Sequence, residues 1–174
     1  TCCGFPWICW SMAACQTLAI AMNMSLTPLA NQIALGDYDL TQQLVLVKLL
    51  SDFVGRSAFL VLIPKPESRR RCFLRSVTGH AFMAWLLEAA RLPVWTYVYQ
   101  RALGSQLPFM VHHSVLLWVI WLPLVSTGAL TSSWCFVIAV TAAPEAKRRV
   151  VNLLMSLSVY AGFASGIVVA LLTR

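Results

Sequence analysis

Three ionisable residues, Lys48, Asp52 and Arg56, follow one another at four-residue spacing inside an otherwise apolar stretch. On an α-helix this spacing puts them on one face. In a bilayer such charges cost about 3 kcal/mol each on insertion scales, so they face a bundle interior, form pairs or line a watery cavity. Asp52 offers carboxylate acceptors and Arg56 offers a fork of donors, which suits a polar solute with hydroxyl groups. The alternative is a structural ion pair, with Lys48 extending towards the membrane interface.

Glu88 and Arg91 form a second charged pair, three residues apart, and Pro93 follows closely. A proline inside a helix leaves a backbone carbonyl without its usual donor. The pair is consistent with a second polar part of a solute path or with a gate. It is equally consistent with a buried brace between helices, the interpretation that we favour slightly.

Small residues recur at four-residue spacing near the end of the chain. Such a face lets another helix approach closely, and the pattern therefore predicts packing rather than chemistry. The residues are Ser158, Gly162, Gly166 and Ala170, and a similar run occupies Ala13, Thr17, Ala21 and Ser25.

The other reactive side chains form no recognisable catalytic or metal-binding pattern. His112 and His113 are adjacent, so on a helix they point about 100° apart and make a poor metal pair. Most of the six cysteines lie in or beside apolar segments, where cysteine acts as a small hydrophobe. The sequence therefore predicts no enzyme, no metal and no cofactor. Proton coupling through a buried Asp52 stays an alternative.

Composition indicates the class of protein that must position these residues. Hydrophobic residues make up 59% of the 174 residues and charged residues 11%, against about 25% charged in soluble domains. Residues 1–36, 102–144 and 150–173 contain no Asp, Glu, Lys or Arg. Such runs match the roughly 20 apolar residues that span a bilayer, where the backbone must be helical.

These runs predict an all-α, polytopic membrane bundle of about five helices. The predicted helices cover residues 5–34, 41–63, 76–100, 109–142 and 150–172, with irregularities at Pro28, Pro123 and Gly128. Because the chain begins with Thr and lacks a signal peptide pattern, we expect it to be a fragment, with more of the protein upstream.

The positive charges indicate orientation. The net charge of +7 is concentrated in the loops after the second and fourth predicted helices. The positive-inside rule places both loops in the cytoplasm and the C-terminus outside. Membrane orientation accounts for the basic residues, so nucleic-acid binding is not expected.

Five short motifs, in this order, resemble the C-terminal part of the equilibrative nucleoside transporter family. The central motif is Asp52-Phe53-Val54-Gly55-Arg56, which resembles the D-x-x-G-R signature of that family's eighth helix. The others are Leu26-Thr27-Pro28-Leu29, Arg91-Leu92-Pro93, Ser126-Thr127-Gly128-Ala129-Leu130 and Pro144-Glu145-Ala146. The chain departs from the family at Thr127, at Ala129 and at the additional charge of Lys48.

The resemblance implies a major-facilitator-like fold of eleven helices, of which this chain would supply the last five. It implies transport of a nucleoside or nucleobase by alternating access, with Asp52 and Arg56 contacting the solute. The remaining contacts would come from the missing N-terminal helices, and the expected location is the plasma membrane. Two alternatives stay open: a transporter of another polar solute, and a non-transporting membrane scaffold with structural ion pairs.

Overall fold

The computed structural model describes residues 7–34, 37–62, 77–104 and 115–172 as helices and short connections, with no strand in these ranges. The helices are α1 (Trp7–Ile33), α2 (Tyr38–Leu62), α3 (Val77–Ala102), α4 (Leu122–Ala142) and α5 (Arg148–Leu171). The all-helical, five-helix prediction is thus confirmed for the described residues. Several predictions lie outside them: the helix ends at residues 5–6, 63, 76 and 109–114, the basic loop after α2, and His112 with His113.

Helix α2 begins three residues before its predicted start at residue 41. The Asp37 carboxylate accepts a hydrogen bond from the backbone N–H of Leu40 at 3.1 Å. An aspartate in this position caps a helix by satisfying one of the N–H groups that have no intrahelical partner. The connection between the first two predicted helices is therefore shorter than expected, because Asp37 is the cap and Tyr38 already belongs to the helix.

The prolines affect the helices differently. Pro28 does not end α1, which continues to Ile33. Pro123 lies in the first turn of α4, directly after a wider, π-helical segment from Leu116 to Trp121. Proline cannot donate to the preceding turn and its ring crowds that turn, so the predicted irregularity takes the form of this wider turn. At Gly128, in contrast, the helix is regular.

A short 3₁₀ turn connects the last two helices. Ala143 is extended before Pro144, as expected for a residue that precedes proline. The turn Glu145–Lys147 then leads into α5, which starts at Arg148 rather than at residue 150 as predicted.

Helices α1 and α4 pack together and form the centre of the molecule. α2 packs mainly on α4, α5 packs mainly on α1, and α3 packs on both central helices. Helix α2 approaches α4 closely at Gly55, where a Cβ atom would overlap the carbonyl oxygen of Ser126. The arrangement leaves a groove between α2 and α5, with α1 and α4 as its floor.

Two segments of the described chain are long and apolar enough to cross a membrane. They are Leu116–Ala142 and Glu145–Leu171, each 27 residues long, with mean hydropathies of 1.5 and 1.9. The criterion is one of length and composition, and core helices of soluble proteins also meet it. The outer face of α5 is nevertheless apolar and exposed, with Leu153, Leu157 and Ile167 each more than half accessible.

Candidate functional site

The Asp52–Arg56 pair lies on the face of α2 that borders the groove. Arg56 Nε donates to Asp52 Oδ2 at 2.8 Å, and the side chains are 56% and 34% exposed, respectively. The sequence places these two residues one helical turn apart, and the pair forms within α2 without help from another helix. Its exposure leaves the second carboxylate oxygen and the terminal guanidinium nitrogens accessible to a solute.

Lys48, the third charge on this face, points elsewhere. Its ammonium donates to the Thr27 hydroxyl of α1 at 2.6 Å. Lys48 therefore contacts the neighbouring helix α1. Thr27 was not among the candidate residues, although it immediately precedes Pro28 in the motif that resembles the family.

The groove encloses a volume of about 380 Å³, within the range of about 300–1,000 Å³ that is usual for small-molecule sites. We call it the α2–α5 groove. Four helices line it: α1 with Gln16, Ile20, Asn23 and Met24, α2 with Asp52 and Arg56, α4 with Ala129, Ser132, Ser133, Phe136 and Val137, and α5 with Val159 and Phe163. The pair predicted to bind solute thus borders a cavity of suitable size.

Two amides on the floor of the groove are already hydrogen-bonded. Gln16 donates to the Ser132 carbonyl at 3.3 Å and accepts from the Ser158 hydroxyl at 2.6 Å. Asn23 donates to the Val125 carbonyl at 3.2 Å. Both residues therefore position helices, whereas the charged pair on α2 is partly exposed at the border of the groove.

The Glu88–Arg91 pair has a different environment, because it is buried between α1, α3 and α4. Glu88 is fully buried, and Arg91 Nη1 donates to both of its carboxylate oxygens at 2.5 and 2.6 Å. Arg91 Nη2 donates to Asn23 Oδ1 at 2.7 Å, and Nε donates to the Leu124 carbonyl at 3.1 Å. Neither residue lines the α2–α5 groove. This is the geometry of a brace that ties three helices together.

Gly128 makes room for this brace. A Cβ atom at this position would overlap Arg91 Nη2 and Asn23 Oδ1. The glycine of the Ser126–Leu130 motif is thus explained by the Arg91 and Asn23 side chains, which occupy the space that a larger residue would need.

Sequence reasoning missed Gln16 and Asn23. The available signal was two amides seven residues apart, hence on one face of a charge-free helix.

The small-residue face of α5 packs against α1. Ser158, Gly162, Gly166 and Ala170 are all buried. A Cβ atom at Gly162 would overlap the Thr17 carbonyl oxygen and Ile20, and one at Gly166 would overlap the Ala21 carbonyl oxygen and Met24. The Thr17 hydroxyl also donates to the Ser158 carbonyl at 3.2 Å. The two runs of small residues that the sequence contains therefore meet in one interface.

Metal-ligating side chains are dispersed in the described part of the chain. No three His, Cys, Asp or Glu residues come together there. Cys9, Cys15 and Cys135 are free and buried in an apolar cluster, while Cys2, Cys3 and Cys72 lie outside the described ranges.

No known protein family, curated protein or solved structure matches this chain. The resemblance to equilibrative nucleoside transporters therefore rests on the ordered motifs in the sequence.

Proposed function

We propose that this chain is the C-terminal five-helix part of a membrane transporter that moves a nucleoside or nucleobase by alternating access. The observation that carries the proposal is the contrast between the two ion pairs. Glu88 and Arg91 are buried and hydrogen-bonded, whereas Asp52 and Arg56 border a cavity with accessible donors and acceptors. A charged pair of the second kind in a membrane protein points to a solute path.

The nucleoside assignment is supported by the position of this pair in the sequence. Asp52 and Arg56 are the charged ends of the motif that resembles the eighth-helix signature of the family. Asp52 accepts hydrogen bonds from solute hydroxyls, and Arg56 donates to solute oxygen or ring nitrogen atoms. In this proposal the missing N-terminal helices complete the site, and rocking of the two bundles exposes it alternately on each side.

The proposed setting is the plasma membrane, which the chain crosses five times. The basic loops after α2 and α4 lie in the cytoplasm and the C-terminus lies outside. The apolar outer face of α5, including Leu153 and Ile167, then contacts the lipid bilayer.

Uptake of radiolabelled adenosine and uridine by cells that express the full-length protein tests this proposal. We expect Asp52→Asn and Arg56→Ala each to reduce uptake at least about tenfold at equal surface expression, since a hydrogen bond to a charged group contributes about 1.5–3 kcal/mol. Asp39→Asn is the matched control for Asp52→Asn, because Asp39 is exposed and lies outside the groove.

The alternatives make different predictions in the same assay. A transporter of another polar solute would take up neither nucleoside. It would take up a vitamin or an amino acid, which competition with a panel of solutes would identify. A scaffold would transport no solute and would show no solute-dependent thermal shift. Unchanged nucleoside uptake in both groove variants would contradict the assignment of Asp52 and Arg56.

A further inference from the structure

The α2–α5 groove has two chemically different sides. Helices α2 and α5 both pack on the central pair rather than on each other, so their side chains face across the groove. On α2 the lining residues are the charged Asp52 and Arg56. On α5 they are Val159 and Phe163, which carry no polar side-chain atom.

The apolar side continues from α5 onto α4. Phe136 and Val137 lie one turn beyond Ser132 and Ser133 on the same face of α4, and all four line the groove. Phe136 and Phe163 are 36% and 41% exposed, respectively. Two aromatic rings therefore remain accessible on one side of the cavity, while the nearest amides of the floor are already used within the protein.

Each side selects for a different part of a solute. The charged side can hold hydroxyl groups, as Asp52 accepts and Arg56 donates. Aromatic rings bind flat ring systems by stacking, which is worth about 1–3 kcal/mol per base when measured by alanine substitution. A solute that fills the groove must therefore have a hydroxyl-bearing end and a flat, weakly polar end.

We propose that Phe136 and Phe163 are specificity-determining residues, which bind the ring system of the solute while Asp52 and Arg56 hold its hydroxyl groups. The inference rests on the proposed function and extends it to residues outside the motif that resembles the family. It predicts that the two ends of the solute are recognised independently, because different helices supply the two sides.

The test compares two competitors of radiolabelled adenosine uptake in the full-length protein: adenosine itself and 2′,3′-dideoxyadenosine, which lacks both ribose hydroxyls of the vicinal pair. Phe163→Ala and Phe136→Ala are each expected to raise the inhibition constants of both compounds at least about fivefold. The ratio of the dideoxyadenosine constant to the adenosine constant should then stay unchanged. Asp52→Asn is expected to raise the inhibition constant of adenosine alone and so to reduce this ratio.

Phe82→Ala is the matched control, because Phe82 is 60% exposed on α3 and does not line the groove. Phe163→Tyr retains the ring and is expected to bind both compounds as the wild type does. The exposed position of Phe163 means that its truncation opens no cavity in the core, and surface expression reports on folding of each variant.

Either of two results would overturn this inference while leaving the proposed function intact. In the first, the wild-type protein takes up adenosine, but Phe136→Ala and Phe163→Ala change the inhibition constants no more than Phe82→Ala does. In the second, Phe163→Ala changes the ratio of the two inhibition constants as Asp52→Asn does. If the wild-type protein takes up neither adenosine nor uridine, the proposed function fails and this inference fails with it.

Discussion

Two carboxylate–arginine pairs of the same chemistry have different energetic consequences here because their surroundings differ. The Glu88 carboxylate is fully buried and depends on Arg91, which is only 4% exposed. In the Asp52–Arg56 pair, both side chains are partly exposed. Breaking a buried pair leaves an uncompensated charge and destabilises by about 3–5 kcal/mol, whereas an exposed pair contributes about 0–1 kcal/mol.

We therefore expect Arg91→Met to lower the free energy of unfolding by about 3–5 kcal/mol, because it leaves the Glu88 carboxylate buried without its cationic partner. Thermal unfolding in detergent, followed by tryptophan fluorescence, measures the effect. Replacing both residues, by Glu88→Leu with Arg91→Met, is expected to recover much of the loss. Asp52→Asn serves as the control and should change stability by less than about 1 kcal/mol. A stable Arg91→Met single variant would show that the pair is not a brace.

Gly128→Ala is expected to disturb the same brace from the opposite side. The added methyl group would overlap the positions of Arg91 Nη2 and Asn23 Oδ1, so the buried guanidinium must move away from its partners. Thermal unfolding should show a clear loss of stability in the wild-type background and a smaller loss in the Arg91→Met background, where the guanidinium, one of the two overlapping groups, is absent. Additive losses would mean that Gly128 and Arg91 act independently.

The sequence predicted the contacts within one helix better than those between helices. The spacing of Asp52 and Arg56 determines that they meet, since an α-helix brings residues four apart together. The partners of Arg91 on α1 and α4 depend on how three helices pack, which local spacing does not encode. Asn23 was missed for this reason, as was the role of Gly128.

At the scale of helices, the small-residue face of α5 determines how closely it approaches α1. The carbonyl oxygens of Thr17 and Ala21 lie where side chains at Gly162 and Gly166 would be. The sequence predicted that this face packs, but it could not identify α1 as the partner, because any helix with a complementary surface would satisfy the pattern.

Gly162→Leu is expected to force α1 and α5 apart and to lower stability by about 1–3 kcal/mol, the usual effect of overpacking. Ala164→Leu is a matched control, because Ala164 lies on the same helix with its side chain exposed. Thermal unfolding of both variants provides the comparison. Equal stability of the two would contradict a close α1–α5 interface.

Helix boundaries were predicted to within three residues where the structure describes them. The error at the start of α2 has a local cause, since the cap depends on whether the Asp37 side chain turns back to the Leu40 N–H. The wider turn before Pro123 is similar: the proline predicts an irregularity, while its form depends on the packing of residues 116–121 against the core.

At the scale of the whole molecule, the five helices divide into a packed centre and an apolar exterior. α1 and α4 are covered by the other helices, while large apolar side chains on the outer faces of α2 and α5 are exposed, including Leu49, Phe53, Leu157 and Ile167. Apolar surface of this extent on a monomer marks an interface with another body, such as a membrane. In the proposed function, lipid covers α5 and the N-terminal helices cover the groove.

This arrangement leads to a prediction about orientation. Arg148 and Arg149 lie at the start of α5, and both are exposed. Positive charges next to a membrane helix stay on the cytoplasmic side, so α5 should run outwards and residues after Leu172 should be extracellular. We expect an epitope tag placed after Leu172 to be stained by antibody on intact cells, and a tag inserted at Ser68, in the basic loop after α2, to be stained only after permeabilisation. Adenosine uptake by each tagged protein checks that it is folded, and staining of both tags on intact cells would contradict an odd number of crossings between them.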